Sequence, residues 1–259
     1  MSQQSATIQA MGRNSNDRLC SLGQGNLRRC RSRSLRRVGR SQVKWGHRLH
    51  SAINGYASGI VRLIGESYGQ QTVQAAWREF NISGDTQPFY GYDVNAELFY
   101  SWLFHKWTPA REEGHEVRDE AFYGVPPTRA YLDRKSSLNP LLRTYLETCL
   151  STSARFYEVL DCVVGLGFRA SDVLAGATYT VTEALASASV KKGDILYAHL
   201  IPMGEVTLMD AVSPRSFPPQ CKGRLLGLRK GRKFLRNEGR ELREVYFTLS
   251  EMMSRWGTA

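Results

Sequence analysis

Apolar residues begin to recur at spacings of three and four at Leu49. With Ile53, Tyr56, Ile60, Leu63 and Ile64 they form one stripe of an amphipathic helix, so folded structure is expected from about Arg48. Gly55 and Gly59 interrupt that stripe at a cost of about 1 kcal/mol each relative to Ala, and a close helix neighbour would be a reason to keep them. A second helix is expected over 70–80, with Val73, Ala76, Trp77 and Phe80 on one side. A third follows the turn-rich Ser83-Gly84-Asp85 and carries the aromatic face Leu98, Phe99, Trp102, Leu103 and Trp107, which Pro109 terminates. The acidic stretch 110–123 reads as an exposed loop, and Val125-Pro126-Pro127-Thr128 stops and restarts the chain. Asn139-Pro140 supplies an N-cap and first-turn pair for a helix buried through Leu142, Tyr145, Leu146 and Cys149.

At Arg155 the period changes from 3.6 to 2. Strands are predicted over 156–164, 168–174, 178–182, 195–201 and 206–212, with glycine-bearing turns between several of them. Five short strands at this spacing predict a small antiparallel barrel of SH3-like or OB-like type, an architecture used more often for binding than for catalysis. Beyond Pro218-Pro219 the chain becomes basic, and Leu242, Val245, Tyr246, Leu249, Met253 and Trp256 then mark a C-terminal amphipathic helix. The expected fold class is α+β. Its segments are a basic arm (1–46), a helical subdomain (47–153), the barrel (154–219), and a basic segment with the C-terminal helix (220–259).

Charge changes this picture because of where it lies. The chain of 259 residues carries a formal net charge of +11, yet residues 1–50 hold ten Arg and one Lys against one Asp. Residues 51–221 hold 14 basic and 19 acidic side chains, and residues 222–259 hold ten basic and four acidic ones. The middle of the chain is therefore mildly acidic, and the basicity belongs to its two ends. The first 44 residues are rich in Ser, Gln, Asn, Gly and Arg, show no hydrophobic period, and bury too little to offset their ordering entropy. Within them Arg28, Arg29, Arg31, Arg33, Arg36 and Arg37 form a polycation suited to phosphate contact, and Arg229, Lys230, Arg232 and Lys233 form a second one near the C-terminus. A solvated tail, an over-extended gene start and an Arg-rich mitochondrial presequence fit the arm's composition as well. There is no apolar run of eighteen residues and no signal-peptide core, so no membrane partner is expected and the cytoplasm is the default location.

Signatures of chemistry are scarce. No P-loop, G-x-G-x-x-G, H-E-x-x-H or kinase motif occurs, and Gly165-Leu166-Gly167 sits where a hairpin turn explains it. The five cysteines (Cys20, Cys30, Cys149, Cys162, Cys221) are scattered without a C-x-x-C, so reduced thiols, no cofactor and no metal are expected. The nearest metal-like string, His47-x-x-His50 with Cys20 and Cys30 upstream, has spacing too wide for a zinc knuckle. Glu112, Glu113, Glu116, Asp119 and Glu120 surround His115 in the acidic loop, where solvation is the expectation and acid catalysis is not. His105 and His199 read as hydrogen-bonded structural histidines.

The strings Trp77-Arg78-Glu79-Phe80, Leu98 to Trp107 with Pro109, Thr144 to Cys149 and Phe156 to Leu160 resemble the N-terminal region of bacterial SEC-C motif-containing proteins. Gly165 to Leu174, Lys192 to Leu196 and Phe217-Pro218-Pro219 follow in the same order, so the resemblance spans roughly residues 48–225. It carries packing information more than chemistry. The family's named feature, a C-terminal zinc-binding cysteine and histidine cluster similar to the tail of the preprotein translocase motor, has no counterpart here. Only Cys221 lies beyond the barrel, and the resemblance implies a shortened member. The sequence thus leads to two expectations. One is a non-catalytic binding protein that contacts nucleic acid through its basic arm and tail. The other is an assembly module whose aromatic and amphipathic helices take a protein partner.

Overall fold

A glycine in left-handed backbone divides the first predicted stripe into two helices. The computed structural model describes residues 40–82, 87–111, 113–228 and 238–256. In it α1 (Arg40–Ile53) ends at a turn where Gly55 has φ +84°, and α2 (Tyr56–Leu63) continues through one π turn (Ile64–Tyr68). Gly59 has the close neighbour its cost implied, since a Cβ there would lie 2.8 Å from the Tyr131 ring. Helix α1 begins at Arg40, inside the stretch expected to be an arm without core contacts. Trp45, Leu49 and Ile53, four residues apart, pack on the core, and Trp45 Nε1 donates to the carbonyl of Met203 at 3.4 Å. One indole at helical spacing to Leu49 supplies the anchor that the surrounding composition obscures.

Helices α3 (Gln70–Phe80) and α4 (Ala96–His105) meet through aromatic rings. Trp77 packs edge-on to Phe99 at 4.9 Å, and Phe80 packs edge-on to Phe99 at 5.5 Å. The loop after Pro109 differs from its expectation. His115 is buried at 9% exposure and Phe122 is buried, because the loop folds back under Trp107 and against Tyr68. Helix α5 (Pro127–Arg134) restarts the chain with a proline in its first turn. Helix α6 (Pro140–Ser151) opens as the sequence indicates, the Asn139 side chain accepting from the Leu141 N–H at 2.9 Å.

The five predicted strands are present: β1 (Arg155–Val163), β2 (Gly167–Asp172), β3 (Thr178–Val181), β4 (Ile195–Met203) and β5 (Val206–Val212). They close in the order β1-β2-β3-β5-β4. A short helix, α7 (Ala186–Ser189), links β3 to β4, and β3 touches β5 in parallel through Val181 and Thr207. Of the two barrel types expected, this order is the OB-like one, and the parallel contact departs from a wholly antiparallel barrel.

Strand β4 explains how barrel and helices share one body. Leu196, Ala198 and Leu200 point into the barrel, while Ile195, Tyr197 and Ile201 join the helical core on the other side. A strand covered on both faces is apolar at nearly every position, which accounts for the run Ile195 to Ile201. Helix α8 (Lys222–Leu228) docks by burying Leu225 and by a 2.6 Å ion pair from Lys222 to Glu158 of β1. Helix α9 (Glu238–Trp256) inserts Leu242, Tyr246 and Leu249 into the same core, with Tyr246 stacked on Tyr197 at 4.7 Å. Among the described residues no helix is long and apolar enough to cross a membrane.

The position of α9 yields a stability prediction. Leu242 is fully buried where the helix meets the core. Leu242→Ala should lower unfolding free energy by about 2–5 kcal/mol in a urea titration. A change under about 0.5 kcal/mol would mean that α9 is not docked.

Candidate ligand cleft and buried carboxylate cluster

A bulge in β5 sets the chemistry at the seam between barrel and helices. His199 of β4 pairs with Ala211 and Leu200 pairs with Met209, so Asp210 is the extra residue between them. A bulge re-aims a side chain without breaking the sheet. Here Met209 packs in the barrel core while Leu208 and Ala211 pack with the helices. The Asp210 carboxylate lies in a pocket of polar side chains delivered by α2, α4, α6 and β4.

Its two oxygens have different surroundings. Oδ1 accepts from the Tyr56 hydroxyl at 2.9 Å and from the Tyr145 hydroxyl at 2.5 Å. Oδ2 lies 3.5 Å from His105 Nε2 and 3.3 Å from His199 Nδ1, and among the described residues no hydrogen bond reaches it. Burial opposes the charge, but the two imidazoles outweigh it and hold the carboxyl well below the usual carboxylate range. Burial, reinforced by the Asp210 anion, raises both phenols and the nearby Cys149 thiol well above their ordinary values. The phenols therefore remain donors. His199 is lowered by burial, against the pull of Asp210.

The cluster contains hydroxyl, imidazole and carboxylate groups, yet it is not a nucleophilic triad. A triad places the hydroxyl on one ring nitrogen and the carboxylate on the other. Ser101 Oγ, which faces the cleft, lies 2.9 Å from His199 Nδ1, the same nitrogen that faces Asp210. The opposite nitrogen, Nε2, meets Thr152 Oγ1 at 2.9 Å, and that hydroxyl gives its single hydrogen to the Thr148 carbonyl at 2.8 Å. His105 Nδ1 is held by Thr128 Oγ1 at 2.8 Å. Both histidines are thus bonded and buried, as their sequence context indicates. Their convergence on Asp210 is information that spacing does not contain.

Beside the cluster opens a cleft of about 680 Å³ between α3, α4, the start of β1, β4 and the first turns of α9. Its basic side chains are Arg78, Lys106, Arg240 and Arg243, set against Glu79 and Glu113. Glu79 is already engaged, accepting from Trp107 Nε1 at 3.0 Å and facing His115 Nε2 at 2.8 Å. Arg243 is only 7% exposed, with its guanidinium 4.4 Å from the Trp102 ring centroid. Its Nη2 donates to the Glu79 carbonyl at 3.4 Å, and among the described residues its buried Nε has no hydrogen-bond partner. Burial lowers the Arg243 pKa and pushes the Lys106 ammonium down to about 8, so both cations sit in partly desolvated surroundings.

The basic residues singled out from sequence, Arg28, Arg29, Arg31, Arg33, Arg36, Arg37, Arg229, Lys230, Arg232 and Lys233, all lie outside the described residues. Two aromatic side chains of the barrel strands are unavailable for stacking on bases. Phe168 has no exposure and fills the barrel interior, and Tyr179 packs there edge-on to Tyr157. Asp210 escaped sequence reasoning, although one signal was present: a lone acid interrupts Val206 to Val212 between apolar neighbours.

Removing a donor to a buried carboxylate should cost more than removing an exposed hydroxyl. Tyr56→Phe and Tyr145→Phe should each lower unfolding free energy by about 1.5–3 kcal/mol, and Asp210→Ala by about 3–5 kcal/mol. Chemical denaturation of the three variants checks the order, and an Asp210→Ala protein as stable as the parent would show the cluster to be energetically idle.

No family model, no curated protein and no solved structure matches this chain.

Proposed function

We propose that this protein is a non-catalytic nucleic-acid-binding protein that seats phosphates in the cleft between α4, the barrel and α9. Arg243 carries the reading. A buried guanidinium on the wall of an open cleft, with its Nε unpartnered among the described residues, is a fixed donor waiting for an anion. Arg78, Lys106 and Arg240 surround the same space.

Chain order adds to this support. The basic run Arg229 to Lys233 immediately precedes α9, whose first turns supply Gly239, Arg240 and Arg243 to the cleft. A strand whose phosphates enter the cleft would find more cations along that run, and the arm from Arg28 to Arg37 would add further sequence-independent contacts. Tyr90 and Tyr92, 70% and 75% exposed, offer ring faces for unpaired bases. The competing assembly reading is weakened by the same structure. The apolar faces of α4 and α9 that sequence offers to a partner are spent on this chain's own core.

Fluorescence anisotropy with labelled single-stranded RNA and DNA tests the proposal. Affinity should fall steeply from low to physiological salt, by about 10³-fold if some six phosphates are neutralised, with little sequence preference. Arg78→Glu with Arg240→Glu should weaken binding at least about tenfold without lowering the melting temperature, since opposite charge now faces phosphate. Substituting the six arm arginines by Ala should flatten the salt slope further. Deleting residues 222–233 is a poor test, because Leu225 and the Lys222–Glu158 pair hold α8 in place. A parent protein that binds neither nucleic acid, or a charge-reversed cleft that binds as tightly as the parent, would refute the proposal.

A further inference from the structure

We propose that His105, Cys149 and Asp210 form a site for a single divalent transition-metal ion, with zinc favoured by the donor set. Nitrogen, sulfur and carboxylate oxygen donors from these residues all lie within 4.8 Å of one another. They come from the end of α4, from α6 and from the bulge of β5, so the ion would sit on the seam that joins helices to barrel.

Two buried atoms in this cluster need a partner. Among the described residues His105 Nε2 and Asp210 Oδ2 are both without a hydrogen bond, and they face each other at 3.5 Å. That separation exceeds a normal N–H···O bond of about 2.7–3.2 Å. It matches the edge of a metal tetrahedron, since bonds of about 2.0–2.2 Å meeting at the tetrahedral angle place nitrogen and oxygen roughly 3.4 Å apart. His199 is already satisfied: its Nε2–H is accepted by Thr152 Oγ1, whose hydrogen goes to the Thr148 carbonyl, and its Nδ1, 3.3 Å from Oδ2, meets the Ser101 hydroxyl at 2.9 Å. The open valences are those of His105 Nε2 and Asp210 Oδ2.

The surroundings are those of a metal site. Thr128 Oγ1 fixes His105 through its other nitrogen at 2.8 Å, and the Tyr56 and Tyr145 hydroxyls hold the carboxylate through Oδ1, leaving Oδ2 to face the ion. Tyr145 and Cys149 are one helical turn apart on α6, so one helix face presents both the thiol and the carboxylate's anchor. A thiolate and an imidazole select a borderline-soft ion over magnesium or calcium, which take oxygen donors. Three protein ligands leave a fourth position for water.

A second convergence of ligand types, Glu79, Glu113 and His115, has no open valence of this kind. His115 Nδ1 accepts from the Ala110 N–H at 2.9 Å, so its hydrogen is on Nε2 and is directed at Glu79 Oε1, 2.8 Å away. That oxygen also receives Trp107 Nε1–H. The cluster is closed by its own hydrogen bonds.

The site stands independently of the nucleic-acid reading, and its test uses no nucleic acid. The full chain, purified without a histidine tag and dialysed against zinc, should hold about one zinc per chain by mass spectrometric metal analysis. Loaded with cobalt(II) instead, it should show a thiolate-to-cobalt charge-transfer band. Cys149→Ser should abolish that band and Cys221→Ser, which alters another buried thiol, should leave it intact. Thr128→Val should weaken zinc about 10–100-fold while retaining the band at saturating cobalt, because it removes only the support of His105. If Cys149→Ser does not fold, the unaltered chain still decides. Failure to retain zinc after loading, with no cobalt band, overturns the proposal, as does a band that survives Cys149→Ser in folded protein.

Discussion

A carboxylate held in the seam between a barrel and a helical layer constrains the rest of this structure. Burying Asp210 costs several kcal/mol of lost hydration, and the cost is tolerable only if oriented donors or positive charge meet both oxygens. Tyr56, Tyr145, His105 and His199 come from α2, α6, α4 and β4, so the four elements are fixed relative to β5 by one side chain. An apolar seam would tolerate sliding, whereas this one fixes the register, because a shift of one residue in β5 would move Asp210 away from its partners. The bulge is what allows a charged residue on β5 to face the helices without disturbing Leu208 and Met209, each of which keeps its own side.

The cleft follows from the same arrangement. Because β4 is covered by helices, the face of the barrel that carries Tyr197 and His199 is not open surface but the floor of a groove between α4 and α9. Stacking of Tyr246 on Tyr197 brings the first turns of α9 over that floor, and with them Arg240 and Arg243. His199 belongs to both features, lining the groove while its Nδ1 faces Asp210. The groove's charge is therefore local. Arg78 and Lys106 of the net-acidic segment 51–221 meet Arg240 and Arg243 of the basic C-terminal segment in one place, and a count along the chain could not foresee it.

Sequence by itself determined the fold class, the five strands and most of the longer helices. The change of period at Arg155, the Asn139-Pro140 cap and the glycine-bearing turns between strands are local signals, decided by backbone sterics and by which face of a helix or strand can be buried. The near-continuous run over β4 was legible as a strand, and the stripe over α9 was legible as a helix. What it packs against was not. The α1 start was missed because one indole outweighs a polar composition, and the buried His115 was missed because its partner Glu79 lies far back in the chain. Tertiary structure alone decided the order β1-β2-β3-β5-β4, the placing of α9 against β4, and the meeting of His105, Cys149 and Asp210. Those residues are separated by 40 residues or more, and no periodicity along a chain records which distant side chains a fold will bring within bonding distance.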